Sequence, residues 1–254
     1  MKKIISTKSL LIILTIICSF LSACSSDDND DKTKFGNVSI AAGENKVIKG
    51  ADGTTWTSEN KYIAEIENGT LKAHRVGETK LISSKGSFKV NVLPKYSYYK
   101  EPYMGWGVST TSIKNNMKGY TLVGETEKAL MYNGKGIEAY VMYLLENSRL
   151  NSAAVFIPTS YSDEVVEFLN ERYVYGTKED NYIGMISPDR KILVVITAQK
   201  LNSTIYYTVI YGENTSSSKI VQRAKAMNCN KMISNINKET AASLINELNI
   251  KLQK

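Results

Sequence analysis

The sequence predicts a two-part fold: an all-β sandwich over residues 36–94, then an α+β body over residues 95–254. Three observations predict it. Short alternating segments separated by turn residues run from Gly36 to Val92 without a helical stretch. Beyond them, the order helix, strand, strand, strand occurs twice. Between the two patterns lie Pro94 and the tyrosine-rich "KYSYYKEPYMGWG", which mark a boundary.

In the first part, "NVSIA", "KVIKG", "TTWTS", "YIAEIE", "TLKAH", "TKLISS" and "SFKVNVL" each alternate as strands do. Asn68-Gly69, between Ile66 and Leu71, is a type I′ hairpin signal. Regular short strands with no helix argue for a small sandwich. Its core is expected to hold Trp56, with Ala64, Ile66, Leu71 and Leu81 around it. Alternation from Thr79 selects Leu81 over Ile82. Gly69 and Gly77 suit tight turns that a Cβ would obstruct.

The stretch "WTSENKYIAEIENGTLKAHRVGETKLISSKGSFKVNVLP" resembles a group 2 bacterial Ig-like domain. Trp56, Ser58, Ala64, Ile66, Asn68, Gly69, Leu71, Ala73, Val76, Gly77, Thr79, Val90 and Val92 fall on that family's pattern. The resemblance implies an Ig-like sandwich serving as a spacer or adhesion module, with no enzymatic chemistry of its own.

The second part opens with "TTSIKNNMKGY", which puts Ile113 and Met117 on one helical face and stops at Gly119. Strands are expected at Ala129–Tyr132, Gly136–Leu145 and Leu150–Ile157, with Asn133-Gly134 as a hairpin turn. The order then recurs. Ser160 and Asp163 form a capping-box-like start for a helix carrying Val165, Phe168 and Leu169. Strands follow at Asn181–Ile186, Lys191–Thr197 and Thr204–Tyr211, with Pro188-Asp189 as the turn. Tyr120 and Tyr173, at the helix exits, are 53 positions apart, and so are Ala153 and Tyr206 in the last strands. Duplicated α-β-β-β units most simply make one antiparallel sheet with the helices on one face. Ile220, Val221 and Ala224 suggest a further helix. Ala241, Leu244, Ile245, Leu248 and Leu252 mark an amphipathic helix that docks on the same body.

Ahead of both parts, Lys2, Lys3 and Lys8 precede an apolar run from Leu10 to Leu21. That run suits an export signal and is short of the ~20 residues of a membrane-spanning helix. Leu21, Ser22, Ala23 and Cys24 resemble the lipobox of bacterial lipoproteins. The resemblance implies cleavage after residue 23 and a diacylglycerol thioether on Cys24, with acyl chains such as palmitate. The acidic "SSDDNDD" behind Cys24 buries too little to order itself, so residues 24–35 are expected to form a tether. It is similar to the sorting signal that carries lipoproteins of some Gram-negative bacteria to the outer face of the outer membrane. A plain spacer is the alternative.

Composition narrows the chemistry. The formal charge of +7 falls to +4 once Lys2, Lys3 and Lys8 leave with the signal. There is no basic block or arginine cluster, which argues against nucleic-acid binding. Cys18 goes with the signal and Cys24 with the lipid, so Cys229 is left without a disulfide partner. His74 is the only histidine and lies outside the second part. A cysteine–histidine nucleophile within that part is therefore excluded, and no metal ligand set or cofactor motif is expected. Glu164, Glu167 and Glu171 share one helical face, which reads as a solvated surface rather than a catalytic carboxylate pair.

Tyr98, Tyr103 and Trp106 are the candidate ligand platform, since flat rings stack on sugars or on partner proteins. The favoured expectation is instead that they pack the two parts together and lead into the second. Alternation in "YSYY" places Tyr96 and Tyr98 on one face and Tyr99 on the other. The leading expectation is a non-catalytic, surface-anchored binding or adhesion lipoprotein, its partners the membrane and a glycan or surface protein. The alternatives are an extracellular polymer hydrolase and a structural subunit of an envelope complex.

Overall fold

The computed structural model describes residues 35–179, 181–201, 203–215, 233–234 and 237–253. The signal, Cys24, the acidic stretch, the segment around Ile220, Val221 and Ala224, and Cys229 lie outside these residues. The described residues belong to one compact unit, which is mostly β with antiparallel sheets and few helices.

The first strands are β1 (Val38–Ala41), β2 (Asn45–Val47), β3 (Thr57–Ser58), β4 (Ala64–Glu67), β5 (Thr70–Ala73), β6 (Gly77–Ser83) and β7 (Gly86–Leu93). They form two small sheets, ordered β1-β7-β6-β3 and β2-β5-β4, with β1 parallel to β7. Asn68 and Gly69 both take positive φ in the turn between β4 and β5. Trp56, Ala64, Leu71 and Leu81 are buried in one core shared by both sheets, with Ile66 packed at its margin. Leu81 points inward and Ile82 outward, as β alternation requires.

The large sheet follows the first helix, α1 (Thr110–Asn116). Its strands are β8 (Leu122–Thr126), β9 (Ala129–Asn133), β10 (Tyr140–Glu146), β11 (Arg149–Pro158), β12 (Val174–Glu179), β13 (Tyr182–Ile186), β14 (Ile192–Leu201) and β15 (Thr204–Glu213). Helix α2 (Ser162–Asn170) separates β11 from β12, and α3 (Lys238–Leu252) ends the described chain. The order is β12-β13-β14-β15-β11-β10-β9-β8, with β16 (Ile233–Ser234) beside the end of β14. Alternate residues of the strands share one large core with α1, α2 and α3, and the intervening residues form a second apolar cluster that includes Met142, Phe156 and Ile210.

Each repeat therefore contributes four strands rather than the three expected. The added strands, β8 and β12, are the edges of the sheet. Both are largely exposed, so neither carries the apolar alternation that marks a strand in sequence. Each also bulges, between Leu122 and Gly124 in β8 and between Tyr175 and Thr177 in β12. These positions are 53 apart, so both halves blunt their open edge at the same place.

The expected spacing breaks in the last strands. Tyr143 pairs with Ala153, and its counterpart Ile196 pairs with Val209, so Ala153 corresponds to Val209 and not to Tyr206. Tyr206 sits in the other apolar cluster, facing away from Ala153. A hairpin that differs in length, together with a bulge at Asn151 in the β10–β11 pair, shifts the offset to 56. That shift sets the equivalent residues Ala154 and Ile210 opposite each other, so an approximate two-fold passes between β11 and β15. Ser152 and Thr208 are equivalent in the same way, and both are fully buried, with no hydrogen-bond partner for the hydroxyl among the described residues. Each costs about 1–3 kcal/mol of desolvation.

Two local expectations need correction. Asn133-Gly134 is not a two-residue turn, because β9 and β10 are joined by a longer loop that the Glu138 side chain organises. Ser160 does not cap α2. A 3-10 turn over Thr159–Tyr161 moves the helix start to Ser162, and Asp163 instead pairs with Lys251 of α3 at 2.8 Å.

Candidate functional site

The tyrosine-rich segment after Pro94 lies across the β9–β10 loop and the C-terminal end of α2. Ile137 N–H donates to Tyr98 O at 3.1 Å. At Gly136 a Cβ would stand 2.4 Å from that same carbonyl oxygen, so only glycine admits this approach. The Glu171 carboxylate accepts the backbone N–H groups of Lys95 at 2.9 Å and Tyr96 at 3.1 Å. Its ion pair with Arg172 completes the clamp, and Arg172 Nη2 donates to Tyr96 O at 2.8 Å. Glu171 is thus buried, with its side chain 5% exposed, and the expected solvated face of Glu164, Glu167 and Glu171 does not hold there. The reason is tertiary: two backbone amides of a distant segment need an acceptor at that point.

The same corner meets the first pair of sheets. Val76 N–H donates to Glu171 O at 2.7 Å, Arg75 Nε to Tyr173 O at 2.9 Å, and Asn60 Nδ2 to Pro188 O at 2.8 Å.

Tyr96 and Tyr98 stack on each other with ring centroids 5.4 Å apart, while Tyr99 turns the other way and is buried. The Tyr98 hydroxyl donates to Glu167, and that hydrogen bond leads the causes that push the phenol up to about 12. Tyr99 stacks on Phe168 at 4.0 Å, and the Arg172 guanidinium lies 3.7 Å from the centre of the same ring. Between these elements lies an open cleft of about 450 Å³, lined by Tyr96, Tyr98, Tyr120, Lys100, Lys135, Glu101, Glu138 and Arg172, among others.

Of the three candidate platform residues, only Tyr98 lines this cleft. Tyr103 and Trp106 are half-buried and, like Tyr98 and Tyr120, pack against the large core, but they do not line the cleft. The Tyr103 hydroxyl lies where a Cβ on Gly105 would stand, and its backbone N–H donates to the Tyr143 hydroxyl at 3.1 Å. Tyr96 and Tyr120 join Tyr98 at the cleft, while Tyr103 and Trp106 serve as packing residues, the role favoured for this aromatic run. The spacing of the helix-exit tyrosines already singled out Tyr120; nothing in the local sequence pointed to Lys100 or Lys135.

Two carboxylates line the cleft, and both are engaged. Glu138 accepts the N–H groups of Lys135 and Gly136, each at 3.0 Å, one on each oxygen. Glu101 accepts the Tyr173 hydroxyl, and burial pushes its carboxyl above the usual range against that hydrogen bond. Beneath it, the hydroxyls of Tyr99 and Tyr211 meet at 2.7 Å, and burial raises both phenols.

Because the folded-state pKa of Glu101 is raised, the ionised form opposes folding. Its stabilising contribution is present below the ordinary carboxylate pKa and is lost as pH rises through the raised value. Glu101→Gln keeps an acceptor for Tyr173 and removes the charge. The variant should therefore melt higher than the parent at pH 7 and nearly level with it at pH 4. A parallel pair of pH–melting curves would contradict this account.

Elsewhere, His74 Nε2 lies 3.2 Å from Glu65 Oε1 on the first pair of sheets. No cluster of metal-binding side chains occurs among the described residues. No family profile, curated protein or solved structure matches this chain.

Proposed function

We propose that this chain is a lipid-anchored surface protein that binds or adheres through the tyrosine-lined cleft, holding a glycan without cleaving it. In this reading residues 36–94 are an Ig-like stalk and residues 95–254 an α+β head, and Cys24 carries the lipid at the outer membrane. The observation that carries it is the cleft itself: half-buried tyrosine rings line an open cavity whose carboxylates already accept hydrogen bonds. A glycosidase needs two carboxylates free to exchange protons or attack. Glu138 spends both oxygens on its loop, and Glu101 is tied to Tyr173. The half-buried rings of Tyr96, Tyr98 and Tyr120 line the cleft and offer sugar faces a stacking surface.

The anchor has its own test. Each buried acyl CH₂ contributes about 0.8 kcal/mol, so several chains on Cys24 hold a protein firmly on a membrane. Cys24→Ser should move the protein from the membrane fraction to the soluble one. A variant that still sediments with membranes after its signal is cleaved would end the lipoprotein reading. The soluble variant then serves for ligand work. Oligosaccharides should shift NMR signals of Tyr96, Tyr98 and Tyr120, and Tyr96→Ala should weaken that binding.

A further inference from the structure

We infer that the cleft selects an acidic glycan, its carboxylates met by Lys100 and Lys135 and its sugar faces by Tyr96, Tyr98 and Tyr120. This rests on the glycan-binding reading above and deepens it. The argument is one of unpaired charge. Among the described residues, neither the Lys100 nor the Lys135 ammonium has a carboxylate within 4.0 Å, although Glu101 and Glu138 line the same cleft.

The other charges at the site are satisfied internally. Arg172 is held by Glu171, by Phe168 O at 3.1 Å and by Tyr96 O at 2.8 Å. Glu138 faces its two backbone N–H groups, and the half-buried Glu101 accepts the Tyr173 hydroxyl. What remains to meet a ligand is two exposed ammonium groups on an aromatic-lined floor. Lys135 rests with its Nζ 4.5 Å from the centre of the Tyr120 ring. At an exposed site such a cation–π contact is weak. A ligand carboxylate draws the ammonium off and uncovers the ring face for the sugar. A neutral glycan gains the rings alone and must displace Lys135 without compensation.

The test uses the soluble Cys24→Ser chain and two probes, a hexameric oligogalacturonate and maltohexaose, titrated by NMR and calorimetry. Oligogalacturonate should bind at least tenfold more tightly than maltohexaose, and its affinity should fall between 50 and 200 mM salt. Lys100→Gln with Lys135→Gln should cost it about tenfold and leave maltohexaose no weaker, since the Tyr120 ring then no longer has a cation to shed. Both lysines are exposed, so the variant should keep its melting temperature, which serves as the folding control. Maltohexaose binding at the cleft as tightly as the uronate overturns the charge selection and leaves the glycan reading standing. So does uronate binding that ignores the two lysines. If neither probe shifts signals in the cleft, the glycan reading falls and the selection with it.

Discussion

Replacing Trp56 by alanine should destabilise the protein by about 3–5 kcal/mol, the range for truncating a buried large aromatic. Trp56 is 9% exposed and packs edge-on against Phe35 and Phe88, with ring centroids at 4.9 and 5.4 Å. Its Nε1–H donates to Ala51 O at 2.9 Å, so the substitution also strips a buried carbonyl of its donor. The core it centres is small, and a ring-sized void there cannot be refilled from either sheet. Urea denaturation followed by circular dichroism checks this. A loss below about 1 kcal/mol would mean that the two small sheets do not depend on this ring.

The second large effect is expected at Glu171→Ala. The side chains of Glu171 and Arg172 are 5% and 13% exposed, so the substitution leaves a nearly buried guanidinium unpaired. It also orphans the N–H groups of Lys95 and Tyr96. Removing one partner of a buried pair costs about 3–5 kcal/mol, and the orphaned amides add to it. A second readout separates clamp loss from general weakening. Trypsin should cut at Lys95 and Lys100 faster in the variant under native conditions, because the segment that carries them is no longer held. An unchanged denaturation midpoint together with an unchanged cleavage rate would remove Glu171 from its place as the clamp. Glu171→Gln, which keeps an acceptor but loses the charge, should fall between the parent and the alanine variant.

Both effects start from residues that the sequence presents differently. Trp56 announces itself: a large ring in an alternating segment, ahead of an Asn-Gly turn, has few places to go but a core. Glu171 does not. It follows Glu164 and Glu167 at helical spacing, and on an isolated helix the three would face solvent. Its burial comes from Lys95 and Tyr96, more than seventy residues earlier, whose amides need an acceptor. Tyr103 and Trp106 show the converse. They stand near Tyr98 in the chain and pack against the same large core, yet only Tyr98 of the three also lines the cleft, where it meets Tyr96 and Tyr120.

What the sequence determined alone is whatever short-range periodicity and turn chemistry can encode. It set the inward ring and leucine of the small core, the positive-φ turn at Asn68-Gly69, the apolar faces of α1 and α3, and the repeat of a helix with strands. The same local rules opposed Tyr99 to the Tyr96–Tyr98 pair. Tertiary structure decided the rest. Edge strands β8 and β12 exist because a neighbouring strand offers them hydrogen bonds, and exposure on both faces erases the alternation that would have betrayed them. The slip from an offset of 53 to 56 arises from hairpin length together with a bulge at Asn151 in the β10–β11 pair, and that one extra residue is enough to turn a side chain to the other face. The cleft belongs to the same class: Lys100, Lys135 and Arg172 come from three distant segments, and only the packing of those segments makes them neighbours.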